Sequence, residues 1–240
     1  MIEKVLDLIW PRNCEVCGRP VDRTGRHICA DCLNRIPFIP ADGCCRICGR
    51  AVAGLAGEYL CEDCDRRATR PHFDRAASAV RFEDRAREML LAFKFNRHLW
   101  LRDDLADWLE AAARARFDLA AVDVVLPMPV TAFHRLDRGY NQSAYLAKVL
   151  AERIARRFTD GVLARQGHPK RQSELQEEER RANVKGTFAV RRPELVRGRT
   201  VLVVDDVMTT GATLSECARS LKDAGAAHVW CVTVARSIRG

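Results

Sequence analysis

From residue 76 onward, short apolar runs alternate with stretches in which apolar residues recur every three or four positions. The run at 76–82 reads as a strand, and Asp84 sits where it can cap a helix carrying Met89, Leu90 and Phe93 on one face. A second helical pattern covers 99–116. The segment VDVVLPMP at 122–129 reads as a short buried strand that breaks at its prolines. Residues 141–158 place Tyr145, Leu146, Val149, Leu150, Ile154 and Phe158 at helical spacing. Residues 165–186 are polar and present no firm core face. The run at 200–206 is an apolar strand ending in two acids, followed by a helix over 212–224 and a strand over 228–236. Strands alternating with helices imply an α/β domain with a mostly parallel, twisted sheet and flanking helices. Near the start, 3–10 reads as a short amphipathic helix stopped by Pro11.

Ahead of that domain the pattern is set by cysteine. Nine of the 11 cysteines fall between Cys14 and Cys64, and eight of them form the C-x-x-C pairs Cys14/Cys17, Cys29/Cys32, Cys45/Cys48 and Cys61/Cys64. Each pair places two thiolates on one tight knuckle, and two knuckles complete a tetrahedral zinc shell. Disulfides need an oxidising compartment, which nothing here indicates, and iron–sulfur proteins use other spacings. The reading is two structural Zn2+ sites that supply most of the folding energy of a segment poor in large apolar residues. Sequential and interleaved pairing of the knuckles both remain open. Gly18 and Gly49 each follow a second cysteine, where the chain must turn sharply. Cys44 is a spare thiol, and His27 and His72 read as surface residues. Cys217 and Cys231 lie in apolar patterns and read as small core residues. Pro71 marks a boundary between a double zinc-ribbon module with its leading helix, 1–70, and the α/β domain, 71–240.

Composition narrows the class. The chain has 240 residues, 48% hydrophobic and 30% charged, which excludes a disordered chain. No apolar run reaches the roughly 20 residues that span a bilayer. The first residues lack the apolar length and cleavage site of a signal peptide. The expectation is a soluble, cytoplasmic protein. Its net charge is +8, and because residues 1–72 hold 11 basic and 10 acidic residues, most of the excess lies in the α/β domain. A basic surface suits phosphate-bearing partners, although an arginine-rich composition alone gives the same balance.

The sharpest chemistry is in VLVVDDVMTTGAT at 201–213. A buried strand delivers two carboxylates at its carboxyl end, where ligands bind in such sheets. The loop that follows opens a helix. It can point backbone N–H groups and hydroxyls at one phosphate, with the helix dipole behind them. The acids would repel that phosphate, so they suit sugar hydroxyls or a cation instead. A ribose 5-phosphate site has this composition. No G-x-x-x-x-G-K-[ST] or G-x-G-x-x-G occurs, which excludes a P-loop ATPase and a dinucleotide fingerprint.

This segment resembles the phosphoribosyl pyrophosphate (PRPP) motif of type I phosphoribosyltransferases. The resemblance implies that Asp205 and Asp206 contact the ribose hydroxyls, and that Thr209, Thr210, Gly211, Ala212 and Thr213 hold the 5-phosphate. Three further segments narrow it. Pro127-Met128-Pro129 followed by Arg135 and Arg138-Gly139-Tyr140-Asn141-Gln142 resembles the R-x-x-R-G-F-N-Q signature of the ComF family, with Tyr140 in place of Phe. Gln172, Leu175, Arg180, Asn183 and Phe188 resemble its Q-x-x-L…R-x-x-N…F segment. Phe93-Lys94-Phe95 resembles its Lys-aromatic motif.

The resemblance implies that Arg135 and Arg138 clamp the pyrophosphate of PRPP; a solvated basic turn is the bland alternative. Asn141 and Gln142 suit a helix cap equally well. Residues 165–186 correspond to the mobile hood, where Arg180 supplies a late positive charge, or else form an exposed ion-paired helix. Mg2+ would accompany PRPP. The catalytic set implied is Asp205, Asp206, Arg135 and Arg180. No dedicated general base is evident; His134 is the nearest candidate, and a solvated loop histidine is the bland alternative.

The family resemblance implies a part in natural transformation, with single-stranded DNA and a DNA-uptake helicase as partners and a cytoplasmic place peripheral to the inner membrane. Two functions compete. One is a PRPP-dependent phosphoribosyltransferase with an unassigned acceptor. The other is a non-catalytic PRPP-sensing or DNA-handling scaffold with a zinc docking module.

Overall fold

The computed structural model describes residues 12–21, 26–51, 54, 57, 59–66, 68, 70–131, 139–166 and 186–237. The strands are β1 Arg75–Arg81, β2 Val124–Pro127, β3 Arg157–Phe158, β4 Leu163–Arg165, β5 Phe188–Val190, β6 Thr200–Met208 and β7 His228–Arg236. The α-helices are α1 Ala30–Leu33, α2 Glu62–Asp65, α3 Asp84–Phe95, α4 Arg102–Arg116, α5 Gln142–Arg153 and α6 Ala212–Asp223. Five strands form one sheet in the order β1-β7-β6-β2-β3, every pairing parallel. The remaining two, β4 and β5, form a separate antiparallel pair.

The sheet is buried on both faces, which explains the near-continuous apolar strands. Alternate residues serve opposite sides. On β6, Leu202 and Val204 join a cluster with α3, α4 and α5, while Val201 and Val203 join one with α6, β4 and β5. The cysteine knuckles are built into the same two clusters. Cys14, Cys29 and Cys32 pack with Met89, Phe93 and Trp108; Cys45, Cys48, Cys61 and Cys64 pack with Phe73, Met208 and Leu214.

Three element boundaries differ from the sequence reading. Helix α5 stops at Arg153, and Ala155 turns the chain with φ +53°. Phe158 therefore lies on β3, not on a helix face. The cap position of α3 is Glu83, whose side chain makes no capping bond; Asp84 is the first helical residue, at φ +45°. The polar stretch from 165 is entered by β4 and left by β5, whose three-residue strands carry too little pattern to announce a hairpin. Residues 3–10 lie outside the described residues. No helix among the described residues is long and apolar enough to cross a membrane.

Candidate functional site

The chain runs from β2 to β3 on one side and from β6 to β7 on the other, so the strand order reverses between β2 and β6. A crevice opens at such a reversal, beyond the carboxyl ends of the strands. Here it is a cavity of about 370 Å3 lined by Met128, Pro129, Lys94, Arg165, Asp205 and Asp206, with Thr209, Gly211 and Thr213 at its edge.

Asp205 and Asp206 stand at the end of β6. Asp205 Oδ1 accepts from Ser143 Oγ at 2.9 Å and from the Asp206 backbone N–H at 2.9 Å. Asp206 Oδ1 accepts from the Val207 N–H at 2.8 Å, and its Oδ2 meets Lys94 Nζ at 2.6 Å. One ammonium thus faces two adjacent carboxylates. Burial, reinforced by the charge of Asp206, pushes the Asp205 carboxyl up to about 7 against the pull of Lys94. A pair in this state would gain from a further cation, so the donor set fits Mg2+ brought with a phosphorylated ligand.

The loop after β6 turns at Gly211, where φ is +82°. A Cβ there would fall 2.6 Å from Met208 Cε, a mobile terminal methyl, so it is the left-handed torsion that disfavours a side chain. Thr210 Oγ1 accepts from Ala212 N–H at 3.3 Å, and α6 begins there with its N–H groups at the cleft rim.

The segment Tyr140-Asn141-Gln142 has a structural role. Tyr140 OH donates to the Phe93 carbonyl at 2.7 Å, and Gln142 Nε2 to the Lys94 carbonyl at 3.1 Å. Both satisfy carbonyls that the end of α3 leaves open. Asn141 is the N-cap of α5, accepting from Ser143 N–H at 3.1 Å, while its Nδ2 holds the Met128 carbonyl at 3.0 Å. These residues fix Lys94 on one side of the acid pair and Ser143 on the other.

Arg165 was not singled out by sequence. It ends β4 with its guanidinium over the Phe188 ring, 5.7 Å from the centroid, and its buried Nε has no hydrogen-bond partner among the described residues. Burial pulls its pKa below the ordinary guanidinium value, opposed by Asp205. Lys94 sat in a noted motif without a role, and Ser143 carried no signal. Arg135, Arg138, Arg180 and His134 lie outside the described residues, as do Gln172, Leu175 and Asn183.

The cysteines pair sequentially. Cys14, Cys17, Cys29 and Cys32 form one group and Cys45, Cys48, Cys61 and Cys64 the other, all Sγ atoms of a group within 4.8 Å of one another. Four convergent thiols and no disulfide among the described residues fit a closed tetrahedral zinc shell. In the first group Cys17 is exposed, and the Arg19 N–H and guanidinium bring it down to about 6, favouring thiolate. His72 is exposed; His27 is half-exposed, and its backbone N–H donates to the Asp104 carboxylate at 2.9 Å. Cys217 and Cys231 are core residues whose thiols burial pushes up, and Cys44 is buried with its thiol on the Pro40 carbonyl.

Comparison with known proteins agrees with this construction. The phosphoribosyl transferase domain profile matches residues 142–240, and the double zinc ribbon domain profile matches residues 5–65. Competence protein F of Haemophilus influenzae is 28% identical over 230 residues, covering 94% of this chain and 97% of that relative. DNA utilization protein YhgH of Escherichia coli K12 is 28% identical, covering 79% and 89%. Competence protein ComFC of Bacillus subtilis is 28% identical, covering 88% and 84%.

Proposed function

The chain belongs to the ComF family, and on that premise we propose that it binds PRPP in the crevice between β2 and β6 and that this binding serves the handling of single-stranded DNA. The observation that carries the first half is the acid pair at the end of β6 beside a phosphate-sized loop at the start of α6. In this reading Asp205 and Asp206 hold the ribose hydroxyls. Thr209, Thr210, Gly211, Ala212 and Thr213 take the 5-phosphate on backbone N–H groups and hydroxyls. Arg165 meets the pyrophosphate, since its buried Nε, without a partner among the described residues, gains most from an anion. Arg135, Arg138 and Arg180 complete the anion shell. The names of the relatives, competence protein and DNA utilization protein, support the second half.

Mg2+, when bound with PRPP, would neutralise the pyrophosphate as a leaving group. The residues Asp205 and Asp206 would hold it together with the ribose. Lys94 sets a positive charge beside Asp206 for that task. The units 1–70 and 71–240 are read as a zinc module and a PRPP domain, the module contributing the nucleic-acid or partner contacts.

The test is equilibrium dialysis with labelled PRPP and Mg2+, competed separately by ribose 5-phosphate, pyrophosphate and inorganic phosphate. A two-ended site predicts displacement by unlabelled PRPP at far lower concentration than by any fragment. Equal competition by inorganic phosphate would reduce the crevice to a general anion site. Single-stranded DNA binding is tested in parallel across salt concentrations, where contact with phosphates predicts a steep loss of affinity as salt rises.

A further inference from the structure

We propose that Arg236 is a positioning residue that couples the second zinc site to the loop at 209–213, so that metal retention by Cys45, Cys48, Cys61 and Cys64 and PRPP binding reinforce one another. The inference rests on the PRPP reading above.

Arg236 ends β7 and is only 4% exposed. Its partners among the described residues are the Cys48 carbonyl, the Cys48 Sγ at 3.7 Å and the Met208 Sδ at 3.7 Å. None is a carboxylate, and a buried guanidinium without a counter-charge is costly. A zinc ion held by four thiolates carries a net charge of about −2. That cluster is the counter-charge within reach of Arg236, whose N–H groups reach one of its ligands directly.

The Arg236 nitrogen that meets the Cys48 carbonyl, Nη1, also meets Met208 Sδ, at the entrance to the loop. Met208 is the last residue of β6, its carbonyl takes the Ser237 N–H at 2.9 Å, and its Cε occupies the space a Cβ on Gly211 would need. Phe73, buried in the same cluster as the four cysteines, closes against Gly211 from beside it. The knuckle is also locked to the sheet. Ala76 N–H donates to the Ile47 carbonyl at 2.6 Å, and Gly49 lies so close to the Ala76 carbonyl that a Cβ would approach it to 2.6 Å. Cys48, Arg236, Met208 and Gly211 therefore form a contiguous buried path from metal to phosphate loop. The first cysteine group packs instead in the cluster with α3 and α4.

Losing the metal, or oxidising its thiolates, strands the guanidinium and frees Met208 to shift under Gly211. Linkage then requires the reciprocal effect, that PRPP slows loss of this zinc. The experiment uses the zinc-loaded full chain and follows transfer of both zinc ions to a chromophoric chelator with and without PRPP and Mg2+. PRPP should slow one of the two release phases several-fold and leave the other unchanged. Arg236→Met should accelerate that same phase by about 10- to 100-fold, the range for lost partners of metal ligands. It should also weaken PRPP binding about 10-fold, with Arg236→Lys restoring part of both. Wild-type PRPP binding that changes neither release phase overturns the coupling alone, without any variant. So does a folded Arg236→Met chain that keeps both zinc ions and wild-type PRPP affinity. No PRPP binding by the wild-type chain removes the PRPP reading and the coupling with it.

Discussion

Lys94 Nζ lies 2.6 Å from Asp206 Oδ2, bringing the last turn of α3 onto the carboxyl end of β6. The contact joins two residues more than 100 positions apart and places a cation where the sequence shows only acids. Removing it leaves two neighbouring carboxylates in a partly buried cleft. Lys94→Met should therefore cost about 1–3 kcal/mol of stability, the range for a charged group stripped of its partner. It should also raise the pH at which PRPP binding is half-maximal, because Lys94 is what pulls the Asp205 carboxyl down. Urea unfolding and a pH series of PRPP titrations check the two parts. An unchanged pH midpoint would remove Lys94 from the site.

Asp205 gives a prediction in which stability and function move oppositely. Its carboxyl titrates near 7 in the folded chain, above the ordinary 3.8. Between those values the folded state holds a proton that the unfolded state has released. Stability from this group is present below about pH 4 and is lost as the pH rises to about 7. Asp205→Asn keeps an oxygen for Ser143 and the Asp206 N–H and removes the ionisation. It should raise Tm by a few degrees at pH 8 and by nothing near pH 4, while PRPP binding disappears. Thermal melts at the two pH values decide it; a lower Tm at pH 8 contradicts the assignment.

Arg165 makes a similar trade. Its buried Nε has no partner among the described residues, so Arg165→Met should leave stability unchanged or slightly higher. PRPP affinity should fall about 10-fold or more, the loss of one charge-assisted contact. Titration calorimetry beside a thermal melt measures both. A variant that loses stability but not affinity would make Arg165 a packing residue.

Gly211→Ala meets a left-handed torsion at the start of α6. The torsion alone costs about 1–2 kcal/mol. The Met208 terminal methyl, 2.6 Å from the new Cβ, must also move aside beneath the loop. PRPP binding should be lost well before the fold is, as circular dichroism and dialysis on one sample would show. Retained affinity would mean the loop does not take the phosphate.

The two four-cysteine groups predict two zinc ions per chain by atomic emission, and their removal by a strong chelator should lower Tm for the whole protein. Both groups are welded into the clusters that hold the sheet, so a fall confined to the first 70 residues is not expected. A wild-type melt after complete zinc removal would contradict a structural role.

What was legible in the sequence was local. The acid pair and its loop are consecutive residues, and each C-x-x-C pair sets its own knuckle. Strand β6 announces itself because burial on both faces demands an unbroken apolar run. The sequence does not show which knuckles pair, because both patterns satisfy the spacing. Nor does it show Lys94, Ser143 and Arg165 converging, since each comes from a different element. The β4–β5 pair was invisible for a related reason. Three-residue strands carry almost no periodicity, and their partners are joined across a long polar segment. The signature residues Tyr140, Asn141 and Gln142 were legible as a motif but not as a clamp, because their partners are carbonyls on α3 and beyond β2.

The central claim is that the crevice at the ends of β2 and β6 holds PRPP through its acid pair. Titration calorimetry of the zinc-loaded protein with PRPP and Mg2+, run beside the Asp205→Asn/Asp206→Asn double variant, tests it most directly. The account predicts saturable one-to-one binding that the double variant abolishes while remaining folded. No heat of binding by the wild-type chain, or equal binding by both proteins, would contradict it.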